Sequence, residues 1–290
     1  VEEARDFLKE AEDAENENRE NFKADIRFSR LSEQWPEKMF QKREQEGRPC
    51  LTFNRLQSVI RQVVNDGRLN RPQVKVVAVD DKGDKEVADV YSGIIKNIET
   101  QSNADAAYDT GIDNAVSGGW GYLTVDIDYI DDEGFEQDIR IMRVPDPLCI
   151  YGDPNSESVD SSDWEQAIEV KKIPRDKFEK LYPKAQQTDF EVEEWGNVGD
   201  SWIDTDSVTI AKYWKRTRNE RVIIGLSDGS VVDLKEYENE AEAYMEAGIQ
   251  PVTQPRSVPS YKVSCHTLNG VEELDTKEWI GKFIPIVPIY

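Results

Sequence analysis

Residues 47–76, GRPCLTFNRLQSVIRQVVNDGRLNRPQVKV, constrain the fold more than any other stretch of this chain. A Gly-Arg-Pro break precedes a helix whose apolar residues Leu56, Val59, Ile60, Val63 and Val64 recur at the spacing of one buried face. Arg55 and Arg61 lie off that stripe, and Asn65-Asp66-Gly67 reads as its C-terminal cap. After Pro72 the run Val74-Lys75-Val76-Val77-Ala78-Val79 predicts a core strand over residues 72–79. A helix that passes directly into a strand implies an α+β chain.

That stretch is also a basic island, with Arg48, Arg55, Arg61, Arg68 and Arg71, in a chain of net charge −23. Such an acidic balance argues against a surface that grips nucleic acid by neutralising phosphates, and equally against anionic membranes. Arginines beside a buried helix are expected to pair with acids of the same chain or of a neighbour. At 290 residues, 38% of them hydrophobic, the chain can bury a core of one large domain or two small ones. Cys50, Cys149 and Cys265 are too dispersed for a disulfide framework or a zinc site, so free thiols and synthesis in a cytoplasm are expected. No apolar run reaches the length of a membrane span. The start at Val1 and the end in IPIVPIY read as cut ends of a longer protein.

Four regions follow in order. Residues 1–117 are helical around the strand at 72–79. They open with an interrupted stripe (Phe7, Leu8, Ala11, Ala14, Phe22, Ile26) that needs cover from elsewhere, such as a neighbouring subunit. A short helix starts at Pro36, and a long one over 85–117 is re-capped near Ser102-Asn103 and stopped by Gly118-Gly119. In residues 118–185 the period changes to two: Tyr122, Thr124, Asp126 and Asp128 alternate with Leu123, Val125, Ile127 and Tyr129. A return strand through Phe135, Ile139 and Met142 makes an antiparallel hairpin, followed by short strands near 148–151 and 164–170 and a helix from Pro174. Residues 186–206 form an acidic linker. Residues 207–290 are β-rich, with strands at 208–215, 221–226 and 231–234, a helix over 235–247, and a two-residue turn at Asn269-Gly270.

Few residues offer chemistry. His266 is the one histidine, so a catalytic triad or metal cluster would have to be completed by carboxylates or Cys265. The hairpin acids Asp126, Asp128, Asp131, Asp132 and Glu133 are candidates for a hard cation and hence for a metal-dependent hydrolase, yet they lack the spacing of a calcium loop. Gly118-Gly119-Trp120-Gly121 runs from helix to strand, the reverse of a phosphate-binding loop, and reads as a tight turn. No cofactor motif is present. A third reading is an acidic protein-interaction module.

An ordered series of motifs carries a resemblance. It comprises GRPCLTFNRL, VVNDGRLNRP and VKVVAVDD, then DKEVADVYSGIIKNIETQSNADAAYDTGIDNAVSGGWGYLTV. Phe135 with Gln137-Asp138-Ile139, Pro145-Asp146-Pro147, Asp153-Pro154, Ser162-Asp163, Phe178, Tyr182-Pro183 and the terminal WIGKFIPIVPIY continue it. In this order they resemble the portal proteins of tailed bacteriophages, the large portals of short-tailed phages in particular. The resemblance implies a portal wing or hip: a helical N-terminal half packed on antiparallel sheet, leading to a stem beyond residue 290. It further implies a structural, non-enzymatic subunit of a homo-oligomeric ring, dodecameric in most of the family. That ring sits at one capsid vertex of the virion and is assembled in the host cytoplasm. Double-stranded DNA passes through it without sequence-specific binding during packaging and ejection. The implied partners are the terminase packaging motor, tail or adaptor proteins, and scaffolding and capsid proteins, with no membrane and no cofactor.

Overall fold

The computed structural model of the protein describes residues 1–31, 34–71, 73–78, 84–130, 133–185 and 207–290. In chain order the helical elements begin with α1 (Glu2–Ser29), α2 (Glu37–Gln45), α3 (Leu56–Leu69), α4 (Lys85–Gln101) and α5 (Ala104–Gly118). Strands β1 (Gly121–Tyr129), β2 (Gln137–Arg143), β3 (Ile150–Tyr151) and β4 (Gln166–Pro174) follow, then α6 (Arg175–Leu181), β5 (Ser207–Gly225) and β6 (Val231–Asp233). The chain closes with α7 (Leu234–Asn239), α8 (Ala241–Glu246), β7 (Arg256–Leu268), β8 (Glu273–Trp279) and β9 (Ile286–Ile289). The architecture is α+β with antiparallel sheets. It divides into two compact units, one of Asp6–Ser162 with Pro285–Tyr290 and one of Val1–Arg5 with Asp163–Ile284.

In the first unit, β1 is the middle strand of a sheet ordered β2-β1-β9, all antiparallel. The hairpin expected from the period-two alternation is present, in the register Val125↔Ile141 and Ile127↔Ile139. Helix α5 packs on this sheet, and α3 and α4 pack on α5. The expected long helix is broken where its sequence asks: Ser102 caps α4, and Asn103 adopts a left-handed φ of 49° before α5 starts. Helix α1 differs from expectation. Much of its stripe is already covered, because Phe7, Leu8, Ala11 and Phe22 are buried within this chain and Phe22 lies 4.6 Å from the Trp120 ring, while Ile26 is half-buried and Ala14 exposed.

Two features of the organising stretch also differ. Helix α3 runs through Gly67 to Leu69 and is capped at Asn70; α5 lies near enough that a methyl added at Gly67 would meet Ile112 at ordinary packing distance. Only Ile60 and Val64 of its stripe are buried, while Leu56, Val59 and Val63 are open. Of the strand expected over 72–79, residues 73–78 are described and join no ladder among the described residues; Val76 N–H donates to Ser92 Oγ at 3.1 Å instead. Extended propensity without a partner strand does not make a sheet.

In the second unit the strand order is β4-β5-β7-β8, antiparallel throughout, with β6 added to β5. Where two strands were expected, β5 is one of 19 residues; its polar middle pairs with β7 from Ala211↔Leu268 to Ile223↔Arg256. Pairing overrides the turn-like composition of that middle. The connection at Asn269-Gly270 spans four residues rather than two. Asn269 Oδ1 accepts from the N–H groups of Val271 and Glu272, and Gly270 takes a φ of 90°. The helix expected over 235–247 is split into α7 and α8 at Glu240. A core of Ile173, Phe178, Val208 and Ile210 lies under α6. The acidic linker at 186–206 lies outside the described residues.

Candidate functional site

Two arginines of the basic island, Arg68 and Arg71, converge on one face of α5. Asp105, Tyr108 and Asp109 recur at helical spacing, and Arg71 bridges both carboxylates, Nη1 to Asp105 and Nη2 to Asp109. Arg68 Nε adds a second cation to Asp109 at 3.1 Å. The Arg71 guanidinium also lies 5.6 Å from the Tyr108 ring centre. Burial, with the hydrogen bond from Tyr108 to Glu99 behind it, pushes the Tyr108 phenol up to about 12, so it stays a donor. This cluster ties the end of α3 to the start of α5. The other arginines of the island are elsewhere: Arg48 pairs with Glu46 at 3.4 Å in solvent, and Arg55 and Arg61 are exposed. Among the described residues, neither of these two has a carboxylate partner.

Two of the hairpin acids, Asp126 and Asp128, lie along β1. Asp126 Oδ1 and Asp128 Oδ1 each accept from the next backbone N–H, of Ile127 and Tyr129, at 2.9 Å. Across the ladder Asp126 faces Arg140 and Asp128 faces Asp138. Asp131 and Asp132 lie outside the described residues. Among the described residues no three His, Cys, Asp or Glu side chains gather as a metal site would need. The three cysteines are free thiols.

His266 has partners that its sequence neighbours do not announce. Its Nε2 lies 2.9 Å from Ser264 Oγ, and its Nδ1 lies 2.8 Å from Glu273 Oε1 and 3.2 Å from Thr276 Oγ1. A proton on Nδ1 satisfies Glu273 and leaves Nε2 to accept from the Ser264 hydroxyl. Serine, imidazole and carboxylate thus stand in the order of a hydrolase triad. Acyl transfer also needs N–H donors for an oxyanion, and β7 lies between β5 and β8 with its backbone committed to both ladders. The cluster is a cross-strand clasp. Hydrogen bonds from His266 and then Thr276 hold the Glu273 carboxyl below the usual glutamate range. A depressed carboxylate stabilises the fold above its unfolded pKa, and that contribution is lost as pH falls through the folded value. Glu273→Gln is therefore expected to flatten the acid limb of a stability-against-pH curve; a limb of unchanged slope would show that the clasp carries no charge.

The largest omission of the sequence reading is Arg19. Its guanidinium is buried against Tyr151 at 3.7 Å and donates to the carbonyls of Leu148, at 2.7 Å, and Ile150, and to Glu15 at 2.9 Å. The signal was present: Glu15 and Arg19 continue the spacing of Leu8, Ala11 and Phe22, so the residues that interrupt the stripe are part of it.

The Arg71, His266 and Arg19 clusters each join one element of the fold to another. No helix among the described residues is long and apolar enough to cross a membrane. No curated protein matches the chain. The family described as Phage P22-like portal protein matches residues 5–290. With nearly its whole length matched, and with the α+β architecture expected of such a protein, the chain belongs to the P22-like portal proteins, structural head–tail connectors of bacteriophages.

Proposed function

We propose that this chain is the repeating subunit of a ring at one capsid vertex, through which double-stranded DNA enters during packaging and leaves during ejection. The observation that carries this reading is the family match over residues 5–290. The charge supports it: at net −23 the chain repels a phosphate backbone, which suits a channel that DNA must slide through without sequence-specific binding. The terminase motor docks on the ring during packaging; tail or adaptor proteins attach afterwards, and scaffolding and capsid proteins surround it. A dodecamer assembled in the host cytoplasm is the expected form. The subunit has no catalytic role of its own.

The test is the mass of the particle formed by the full-length protein, with negative-stain images of the same sample. Rings with a central hole are expected. Monodisperse monomers or closed dimers in every buffer tried would overturn the proposal.

A further inference from the structure

The long strands β5 and β7 run on past their sheet. Strand β4 pairs with β5 only as far as Lys215, and β8 pairs with β7 only as far as Val263. Beyond those points, from Thr217↔Lys262 to Val222↔Ser257, β5 and β7 pair with each other alone, as a two-stranded ribbon about 20 Å long. Every residue from Thr217 to Val222 is exposed. At the far end β6 joins β5 and Leu226 bridges to Pro251, so that residues 226–255, with α7 and α8, form a folded tip on the ribbon.

Ribbon and tip carry opposite charges. Residues 215–223 and 256–262 hold six cations against one acid, Glu220, whose carboxylate accepts from Ser257 Oγ. Lys215 pairs with Glu3 and Lys262 with Glu278, but Arg218, Arg221 and Arg256 have no carboxylate partner among the described residues. The register places Arg221 and Arg256 on one face beside Val258, and the ribbon has no acid on that face. The tip reverses the sign, with seven acids against Lys235 alone. Glu236, Glu238 and Glu240 are exposed, since half-buried Leu234 and Tyr237 take the inner side of α7. Val231, Met245 and Val252 of the tip are open as well.

We infer that the acidic tip of one copy of this chain seats on the basic ribbon of another, with Glu236, Glu238 and Glu240 against Arg221 and Arg256. Whole patches, not single residues, make the choice: tip repels tip and ribbon repels ribbon, so only the unlike pair attracts. A DNA backbone laid on the ribbon would meet the repelling acids of the tip at its end, and any other acidic partner would leave those acids uncovered. A second copy supplies both halves. The inference rests on the ring reading above and gives it a contact that repeats from each copy to the next.

The test uses the full-length protein at low salt, where exposed charges are least screened. One variant carries Arg221→Glu with Arg256→Glu, the other Glu236→Lys with Glu240→Lys. All four positions are exposed, and circular dichroism checks each fold. Each variant alone is expected to need about tenfold more protein to assemble. Mixed one to one, the two are expected to recover most of that loss, because each reversed patch then meets its opposite on a neighbour. A loss that mixing leaves untouched would overturn the inference, since the charges would then act within their own chain. A ribbon variant that assembles normally but retains a short DNA duplex less well would overturn it too, and assign the ribbon to DNA. Rings formed equally well by all preparations would sink the inference and leave the ring reading standing. Absence of rings from the unaltered protein would remove the ring reading, and the inference with it.

Discussion

Arg19→Ala is expected to lower the unfolding free energy by about 3–5 kcal/mol, the cost of removing one partner from a buried charged cluster. Three acceptors lose their donor at once: the Leu148 and Ile150 carbonyls and the Glu15 carboxylate. The pH dependence identifies the cause. Burial already pushes the Glu15 carboxyl above its ordinary value, and Arg19 is the largest influence pulling it back. Without Arg19 the folded-state pKa rises further. A raised carboxyl favours the fold below its unfolded pKa and loses that contribution as pH rises, so the deficit of the variant should widen from acid towards neutrality. Arg19→Lys should fall between, since one ammonium cannot reproduce the planar fork that reaches both carbonyls. Urea unfolding followed by tryptophan fluorescence at several pH values makes the comparison. A deficit below about 1 kcal/mol that does not change with pH would mean that water replaces the guanidinium at all three acceptors.

What could be read in advance depended on whether large side chains carry the contact. The hairpin of β1 and β2, the break at Ser102-Asn103 and the glycine stop after α5 all follow from local spacing and turn chemistry, and all are present. Helix α5 was legible as a helix but not as to its buried face. Apolar residues of its sequence include Ala106, Ala107, Tyr108, Ile112 and Val116, yet of these only Ala107 belongs to the buried set, with Ala104, Gly111, Asn114 and Gly118. Small residues carry little hydrophobic signal; their contribution is to let backbones approach, which only the partner strand reveals. In α1 the buried ion pair masked a continuous stripe for the same reason, since a charge in line with apolar residues reads as an interruption. The α3 stripe misled in the opposite direction: its spacing states that Leu56, Val59 and Val63 must be covered, but not that this chain leaves them open. The Arg68–Arg71 cluster on Asp105 and Asp109 spans more than thirty positions in sequence and was visible only as a basic island awaiting acids. The Ser264–His266–Glu273 clasp depends on the register of β7 with β8, which no single strand encodes.

The approach of α5 to its sheet yields the second large effect. A methyl at Gly121 would lie 2.2 Å from the Gly111 carbonyl oxygen and 2.9 Å from the Gly111 Cα. Both are backbone atoms, so relief requires the helix or the strand to move. Gly121→Ala is expected to cost about 3 kcal/mol or more. Gly111→Ala meets a different obstacle, the tip of the Ile289 side chain, at 2.4 Å from the added methyl. A side-chain tip can be removed, so Ile289→Val, which deletes the clashing Cδ1, should recover much of the loss in Gly111→Ala and nothing in Gly121→Ala. Gly119→Ala gives the control: nothing lies within 4 Å of its methyl, and the penalty comes only from the left-handed φ of 107°, about 1 kcal/mol. Thermal melting of the three variants, with and without Ile289→Val, separates backbone collision from side-chain collision and both from backbone strain. Equal losses at the three positions would mean that the helix–strand contact is loose, and that the glycines around Trp120 serve only to turn the chain.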